Sequence, residues 1–131
     1  MRIDRALLDE IVAHAVRDAP NECCGLVVGR DGAASAAHAL ENLAASPFRF
    51  DIDGRDLIKF AFADEDEGED PMLAIYHSHT RSAPYPSQTD VNLAGWWPDQ
   101  LYVIVGLVPE VDVRAYRIVD EQITETPLEV V

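Results

Sequence analysis

The sequence is poor in positive charge and in long apolar runs. Its 10 lysine and arginine residues stand against 24 aspartate and glutamate residues, which gives a formal net charge of −14 with Lys59 as the single lysine. A surface with this excess of negative charge repels phosphate backbones, so DNA and RNA are not expected as partners. No apolar stretch approaches the roughly 20 residues of a membrane-spanning helix, so membrane insertion is not expected either.

Cysteine is also scarce, because the only two are the neighbours Cys23 and Cys24. Adjacent cysteines cannot easily close an ordinary disulfide, and neither has another partner in the sequence. The N-terminal segment carries scattered charges where a secretory signal has an uninterrupted apolar run. These features predict a reduced protein located in the cytoplasm.

The length of 131 residues and the apolar content of 48% fit one compact domain over residues 1–131. Helical spacing of apolar residues predicts an amphipathic helix over about residues 4–18, and a second helix is predicted near residues 57–62. The expected strands cover residues 23–29, 34–43, 48–52, 72–77, 101–105, 111–119 and 123–131. This order of elements favours an α+β domain or a three-layer α/β/α domain around one mixed sheet.

A run of acidic residues extends from Asp64 to Asp70 and is broken only by Gly68. Such a run is typical of a solvated, mobile loop, because its like charges repel each other and it offers no apolar surface to bury. A docking patch for a basic partner is the alternative interpretation.

The residues His77, Ser78 and His79, followed by Ser87 and Asp90, form the pattern with the clearest chemical meaning. Side chains two positions apart on an extended segment point to the same side, so the two imidazoles can converge on one ion. Asp90 follows in the first turn of a helix that a capping box at Ser87 predicts. Two imidazoles and one carboxylate suit zinc and leave a fourth position for water, which is typical of hydrolytic sites.

A hydrolase of this kind also needs a group that moves protons. Glu22 stands just before an apolar strand, where a carboxylate is otherwise out of place, and it is the candidate general acid/base. Ser87 could donate a hydrogen bond to the oxyanion that develops on the scissile carbonyl.

Each of these residues also has an ordinary structural interpretation. A His-x-His pair arises readily by chance, Ser87 and Asp90 could be only a helix cap, and Glu22 could be a surface residue. Cys23 and Cys24 are interpreted as packing residues and not as nucleophiles. The full pattern His-x-His-x7-Ser-x2-Asp, however, should arise by chance in on the order of one chain in thousands.

Other zinc patterns fit less well. Arg81 occupies the position that must be aspartate in the metallo-hydrolase pattern His-x-His-x-Asp-His. The sequence has neither the Cys-x-x-Cys pair of zinc deaminases nor the His-Glu-x-x-His helix of many metalloproteases. A (β/α)8 barrel, which can also use His-x-His, needs a longer chain.

The complete set of residues resembles the signature of the JAMM metalloprotease family, also called MPN-plus domains. Its members in this sequence are Glu22, His77, Ser78, His79, Ser87 and Asp90. The segment 22–26 resembles the family's opening Glu-x-Cys-Gly-Leu strand, and the segment 102–105 resembles the strand after the metal helix. The resemblance covers nearly the whole chain.

This resemblance implies a cytidine-deaminase-like α/β/α fold with one zinc ion. It assigns His77, His79 and Asp90 as the metal ligands, Glu22 as the general acid/base and Ser87 as the oxyanion support. Relatives that have lost metal ligands serve as scaffolds, whereas every ligand is present here, so an active zinc peptidase is implied.

The segments 76–80 and 83–90 are similar to the stand-alone prokaryotic branch of the family, some of whose members are sulfur-carrier peptidases. These members remove cysteine or other residues from beyond the C-terminal Gly-Gly of small ubiquitin-like sulfur-carrier proteins. The resemblance therefore implies a carrier of this kind as the substrate. The alternatives are a deubiquitinase-like isopeptidase, a small-peptide hydrolase, and a non-catalytic module that binds a ubiquitin-like protein.

Overall fold

A computed structural model of the chain describes residues 1–62 and 67–131. The helices of this part are α1 (Arg5–Asp18), α2 (Gly54–Ala61) and α3 (Gln88–Ala94). The strands are β1 (Arg2–Ile3), β2 (Cys24–Arg30), β3 (Ala33–Leu40), β4 (Met72–His79), β5 (Leu101–Gly106), β6 (Asp112–Val119), β7 (Gln122–Thr126) and β8 (Glu129–Val130). None of the helices within the described residues is long and apolar enough to cross a membrane.

The described strands form one mixed sheet in the order β7-β6-β5-β4-β2-β3-β1-β8. Strands β4 and β5 run parallel, as do β1 with β3 and β1 with β8, and the remaining neighbours are antiparallel. The three central strands β2, β4 and β5 are almost entirely buried, in keeping with their largely apolar sequences.

The sheet curls so that its two outer strands approach each other. Strands β7 and β8 lie at opposite edges, yet only Pro127 and Leu128 separate them in the chain. The step from Thr126 to Glu129 can span at most about 10 Å, so the two edges must lie near one another.

Each face of the sheet packs on its own apolar cluster. On one face, α1 packs against the inward-pointing side chains of the central strands; this cluster includes Leu8, Ile11, Ala15, Val27, Ala74 and Val103. On the other face lie α2, α3 and the segment before α2; this cluster includes Leu26, Ile52, Leu57, Ile75, Ala94 and Ile104. The three-layer α/β/α arrangement predicted from the sequence is confirmed.

Two of the predicted strands are wrong in detail. Residues 48–52 form no strand, because the side chain of Asn42 makes hydrogen bonds that a neighbouring strand would otherwise supply. Its Oδ1 accepts from the N–H groups of Ala44 and Asp51, and its Nδ2 donates to the carbonyl of Arg49. The predicted final strand over residues 123–131 is two strands, because Pro127 cannot donate to a ladder.

The last residue of the acidic run, Asp70, contacts the sheet. Residues 63–66, which hold the first part of the run, lie outside the described residues, and the interpretation of that part as a solvated loop stays a prediction. Asp70, at the other end, accepts a hydrogen bond of 2.6 Å from Nε of Arg30 on β2 and another from the hydroxyl of Ser35 on β3. The run is therefore anchored to the sheet at Asp70.

Gly25 on β2 gives a test of how tightly the sheet packs on α1. A Cβ at this position would overlap the ring carbons of Tyr76 on β4. The ring has little freedom to retreat, because the Tyr76 hydroxyl is hydrogen-bonded to Nδ1 of His14 on α1 at 2.7 Å. We expect Gly25→Ala to lower the free energy of unfolding by about 1–3 kcal/mol, measured by urea denaturation.

The matched control is Gly54→Ala at the start of α2, where a Cβ meets nothing within 4 Å. We expect this change to alter the free energy of unfolding by no more than about 0.5 kcal/mol. Equal effects at the two glycines would contradict the packing described for Gly25.

Candidate metal centre

The ends of two elements position the three predicted metal ligands. His77 and His79 project from the same face at the end of β4, because residues two apart on a strand share a face. Asp90 lies in the first turn of α3, whose N-terminus follows the loop after β4. All three side chains are buried, and the structure brings their ligand atoms together.

The distances between these atoms fit a single small ion. Nε2 of His77 lies 3.1 Å from Oδ2 of Asp90, Nε2 of His79 lies 3.3 Å from the same oxygen, and the two Nε2 atoms are 3.2 Å apart. In a tetrahedral zinc site with bonds of about 2.0–2.1 Å, neighbouring ligand atoms are separated by about 3.3 Å. Both the donor set and its spacing therefore fit zinc.

The imidazole rings are held in different ways. Nδ1 of His79 lies 2.9 Å from the carbonyl oxygen of Ala83, and donating its proton there leaves the lone pair of Nε2 free for a metal. The ring of His77 stacks on Phe50 with a centroid distance of 4.4 Å. Among the described residues, Nδ1 of His77 has no hydrogen-bond partner. Burying this atom unpaired lowers the stability of the fold, and such a cost is typical of side chains that function holds in place.

Asp90 is at once the predicted helix cap and the predicted ligand. Its Oδ2 accepts a hydrogen bond of 2.9 Å from the N–H of Ser87, and its own N–H donates to Oγ of Ser87 at 3.2 Å. Burial would raise the pKa of Asp90, but the two imidazoles beside it and the hydrogen bond from the Ser87 amide hold that pKa well below the usual range. The carboxylate is therefore ionised, as a metal ligand must be.

Ser87 keeps a hydroxyl proton available. As the N-cap of α3, its oxygen accepts from the N–H of Asp90, which leaves the hydroxyl free to donate elsewhere. The residue is exposed, whereas its partner Asp90 is buried. A carbonyl group placed over the metal ligands could receive that hydrogen bond.

Glu22 lies next to His79, at the end of the segment that leads into β2. The antiparallel register of β2 and β4 pairs Cys24 with His77, so the residue two before Cys24 faces the residue two after His77. Only 5% of Glu22 is exposed, and burial raises its pKa to about 7; His79 opposes that rise and the negative charge of Asp90 adds to it. A carboxyl with such a pKa can both take up and give back a proton near neutral pH.

Three hydrogen bonds fix the backbone around Glu22. Its N–H donates to the carbonyl of Ser46 at 2.8 Å, and its carbonyl accepts from Nδ2 of Asn42 at 2.9 Å. The next N–H, that of Cys23, donates to Oγ of Ser78 at 2.8 Å. The sequence pattern included Ser78 without a role of its own. It gave no signal for Phe50, and for Asn42 only the general tendency of asparagine to bind nearby backbone.

The chain matches the family Prok-JAB, the prokaryotic homologs of the JAB domain, over residues 4–119. It is 41% identical over 129 residues to the CysO-cysteine peptidase of Mycobacterium tuberculosis, a match that covers 95% of this chain and 87% of that protein. It is 37% identical to the desampylase of Haloferax volcanii, covering 73% of each chain. It is 39% identical to the probable TtuB-protein conjugate cleaving protease of Thermus thermophilus, covering 79% of this chain and 68% of that protein.

Solved structures share the fold. A solution structure of a protein from Desulfitobacterium hafniense matches with a TM-score of 0.82 and 30% identity, over 99% of this chain and 92% of the other. The crystal structure of a JAB1/MPN domain protein from Archaeoglobus fulgidus matches with a TM-score of 0.69 and 22% identity, over 100% of this chain and 99% of the other. The second likeness is one of fold alone.

Substitution of Asn42 tests whether its side chain holds the backbone around Glu22 in place. It is buried and bonds four backbone groups, those of Glu22, Arg49, Ala44 and Asp51. We expect Asn42→Ala to lower the free energy of unfolding by about 2–4 kcal/mol, because buried backbone groups lose their partners. Urea denaturation measures the change.

Asn92→Ala is the control for this test, because Asn92 is exposed and its side chain bonds only that of Gln88 among the described residues. Its expected effect is no more than about 0.5 kcal/mol. A similar loss for both variants would show that Asn42 does not support the segment as described.

Proposed function

We propose that this chain, which belongs to the Prok-JAB family and is a hydrolytic enzyme of the JAMM type, is a zinc-dependent peptidase. Its proposed substrate is an amide bond at the C-terminus of a small ubiquitin-like sulfur-carrier protein. The observation that carries the proposal is the convergence of His77, His79 and Asp90 on one point, with the buried carboxyl of Glu22 beside them.

The relatives support the substrate class by their names. One is named a CysO-cysteine peptidase, another a desampylase, and a third is named for cleaving TtuB-protein conjugates. The first has the highest identity of the three and matches the most of this chain, which favours a single attached residue such as cysteine as the group released. The extended tail of a carrier is thin, so it needs only a narrow approach to the metal ligands.

In the proposed mechanism, His77, His79 and Asp90 hold one zinc ion. When bound, zinc polarises a carbonyl group and makes water a stronger acid. Glu22 takes a proton from the attacking water, whose oxygen bonds to the scissile carbonyl carbon. The Ser87 hydroxyl donates a hydrogen bond to the carbonyl oxygen as negative charge develops there. Glu22 then delivers its proton to the nitrogen of the leaving amine as the C–N bond breaks.

The proposal includes a cytoplasmic location, which the two cysteines support because both are free and buried.

An isopeptidase that releases carriers from lysine side chains is the second candidate, and the names of the desampylase and the TtuB-conjugate protease favour it. A module that binds a carrier without cutting it has no use for a buried proton-transfer group, so Glu22 argues against it.

Metal binding and proton transfer can be separated by substitution. We expect His77→Ala and Asp90→Ala to lose bound zinc and activity together, because each removes one of three ligands. Glu22→Gln should keep zinc at one ion per chain and lose about 10²–10⁴-fold in turnover, because the amide cannot carry the proton. Native mass spectrometry gives the metal content, and turnover that is unchanged in Glu22→Gln would refute the role of Glu22.

The substrate class is tested with the CysO–cysteine adduct named for the mycobacterial relative. We expect this protein to release free cysteine from the adduct, a metal chelator to stop the release and added zinc to restore it. A carrier linked to a lysine side chain serves as the comparison. Faster cleavage of the lysine conjugate would favour the isopeptidase, and tight binding without turnover of either would favour the binding module.

A further inference from the structure

Phe48 and Arg81 contact each other, and each lies two residues along the chain from a residue at the metal centre. The guanidinium carbon of Arg81 lies 5.5 Å from the centroid of the Phe48 ring. Arg81 is two residues beyond His79, and Phe48 is two residues before Phe50, whose ring stacks on His77. The segments that carry this pair therefore continue directly from the groups that form the wall of the metal centre.

The segments that carry the pair are hydrogen-bonded to the segment that carries Glu22. The Thr80 hydroxyl, next to Arg81, donates to the carbonyl of Pro20 at 3.1 Å and lies 3.4 Å from the carbonyl of Pro47, next to Phe48. The N–H of Glu22 itself donates to the carbonyl of Ser46, which precedes Pro47. These contacts tie the segments of Arg81, Phe48 and Glu22 into one side of the centre. In the proposed mechanism Glu22 protonates the leaving amine, so we expect the leaving group to depart on the side of these segments.

The charge of Arg81 is available for a ligand. Arg30, Arg55 and Arg114 each form an ion pair with a carboxylate. Arg81 is exposed, and within the described ranges it forms no ion pair with a carboxylate. An aromatic face holds a guanidinium in place while its N–H groups stay free to bind a carboxylate with two parallel hydrogen bonds.

A free carboxylate distinguishes the two substrate classes. When a single residue is attached to the carrier tail, its own α-carboxylate lies next to the scissile bond, on the leaving-group side. When the carrier is attached to a lysine side chain, the leaving amine is followed by a methylene chain and no carboxylate. A cation on the leaving-group side of an otherwise acidic protein favours the first class.

We propose that Phe48 and Arg81 form a subsite for the α-carboxylate of a single C-terminal residue, which makes this enzyme selective for one-residue adducts of the carrier. This inference rests on the proposed function. Arg81 binds the carboxylate, and Phe48 is a positioning residue that holds the guanidinium.

The test compares the CysO–cysteine adduct with its C-terminal carboxamide, which differs only in the charge of that group. We expect the zinc-loaded enzyme to favour the free acid roughly ten- to hundredfold in kcat/KM, as suits a charged hydrogen-bonded pair. Arg81→Gln should lower kcat/KM for the free acid to about the value for the carboxamide, mainly by raising KM. Its zinc content should be unchanged, and its kcat/KM for the carboxamide should fall far less. The matched control is Arg49→Gln, next to Phe48 in sequence, which should keep the preference.

Binding to Glu22→Gln provides a second measurement that needs no turnover. Calorimetry should show tighter binding of the free acid than of the carboxamide, and adding Arg81→Gln should remove the difference. Equal handling of the two adducts by the unaltered enzyme, or loss of the preference in Arg49→Gln, would overturn the assignment of Arg81. If neither adduct is cut, the proposed function is wrong, and the binding comparison still decides whether the subsite exists.

Discussion

The antiparallel pairing of β2 with β4 is the constraint on which the rest of the structure depends. Its register sets Cys24 against His77 and thereby sets Glu22 opposite His79. A slip of one residue would turn the Glu22 side chain to the other face of the sheet, away from the imidazoles. Ser78, which lies between the two histidines and points to the opposite face, holds this register by accepting a hydrogen bond from the N–H of Cys23.

The parts of the fold that depend on local pattern could be predicted from the sequence. Helix α1 follows from apolar spacing, β5 from a continuous apolar run, and the start of α3 from the capping residues Ser87 and Asp90. The segment before α2 could not be predicted, because its conformation depends on one buried side chain in another segment, that of Asn42, which the sequence pattern placed in the strand expected over residues 34–43. The stacking of Phe50 on His77 is likewise a tertiary contact between segments distant in sequence.

Stability and chemistry share atoms in this site. The sequence left open whether Ser87 and Asp90 cap a helix or serve a metal centre, and the structure shows one carboxylate oxygen placed for both. The N-terminus of α3 favours the ionised carboxylate, which is also the form that a metal requires. His77 contrasts with Asp90 in its hydrogen bonding. Its Nδ1 is buried and has no hydrogen-bond partner among the described residues, so this atom loses its contact with water without a replacement.

The approach of β7 and β8 brings the two margins of the sheet together at one end. Proteins often recognise an extended peptide by adding it as a further strand at an open sheet margin, and exposed margins also promote amyloid-like stacking. Here Pro127 and Leu128 alone join the two outermost strands, so the margins lie within about 10 Å of each other at the linker. Since a paired strand lies about 4.8 Å from its neighbour, a strand added at either margin would meet the linker or the opposite margin at that end.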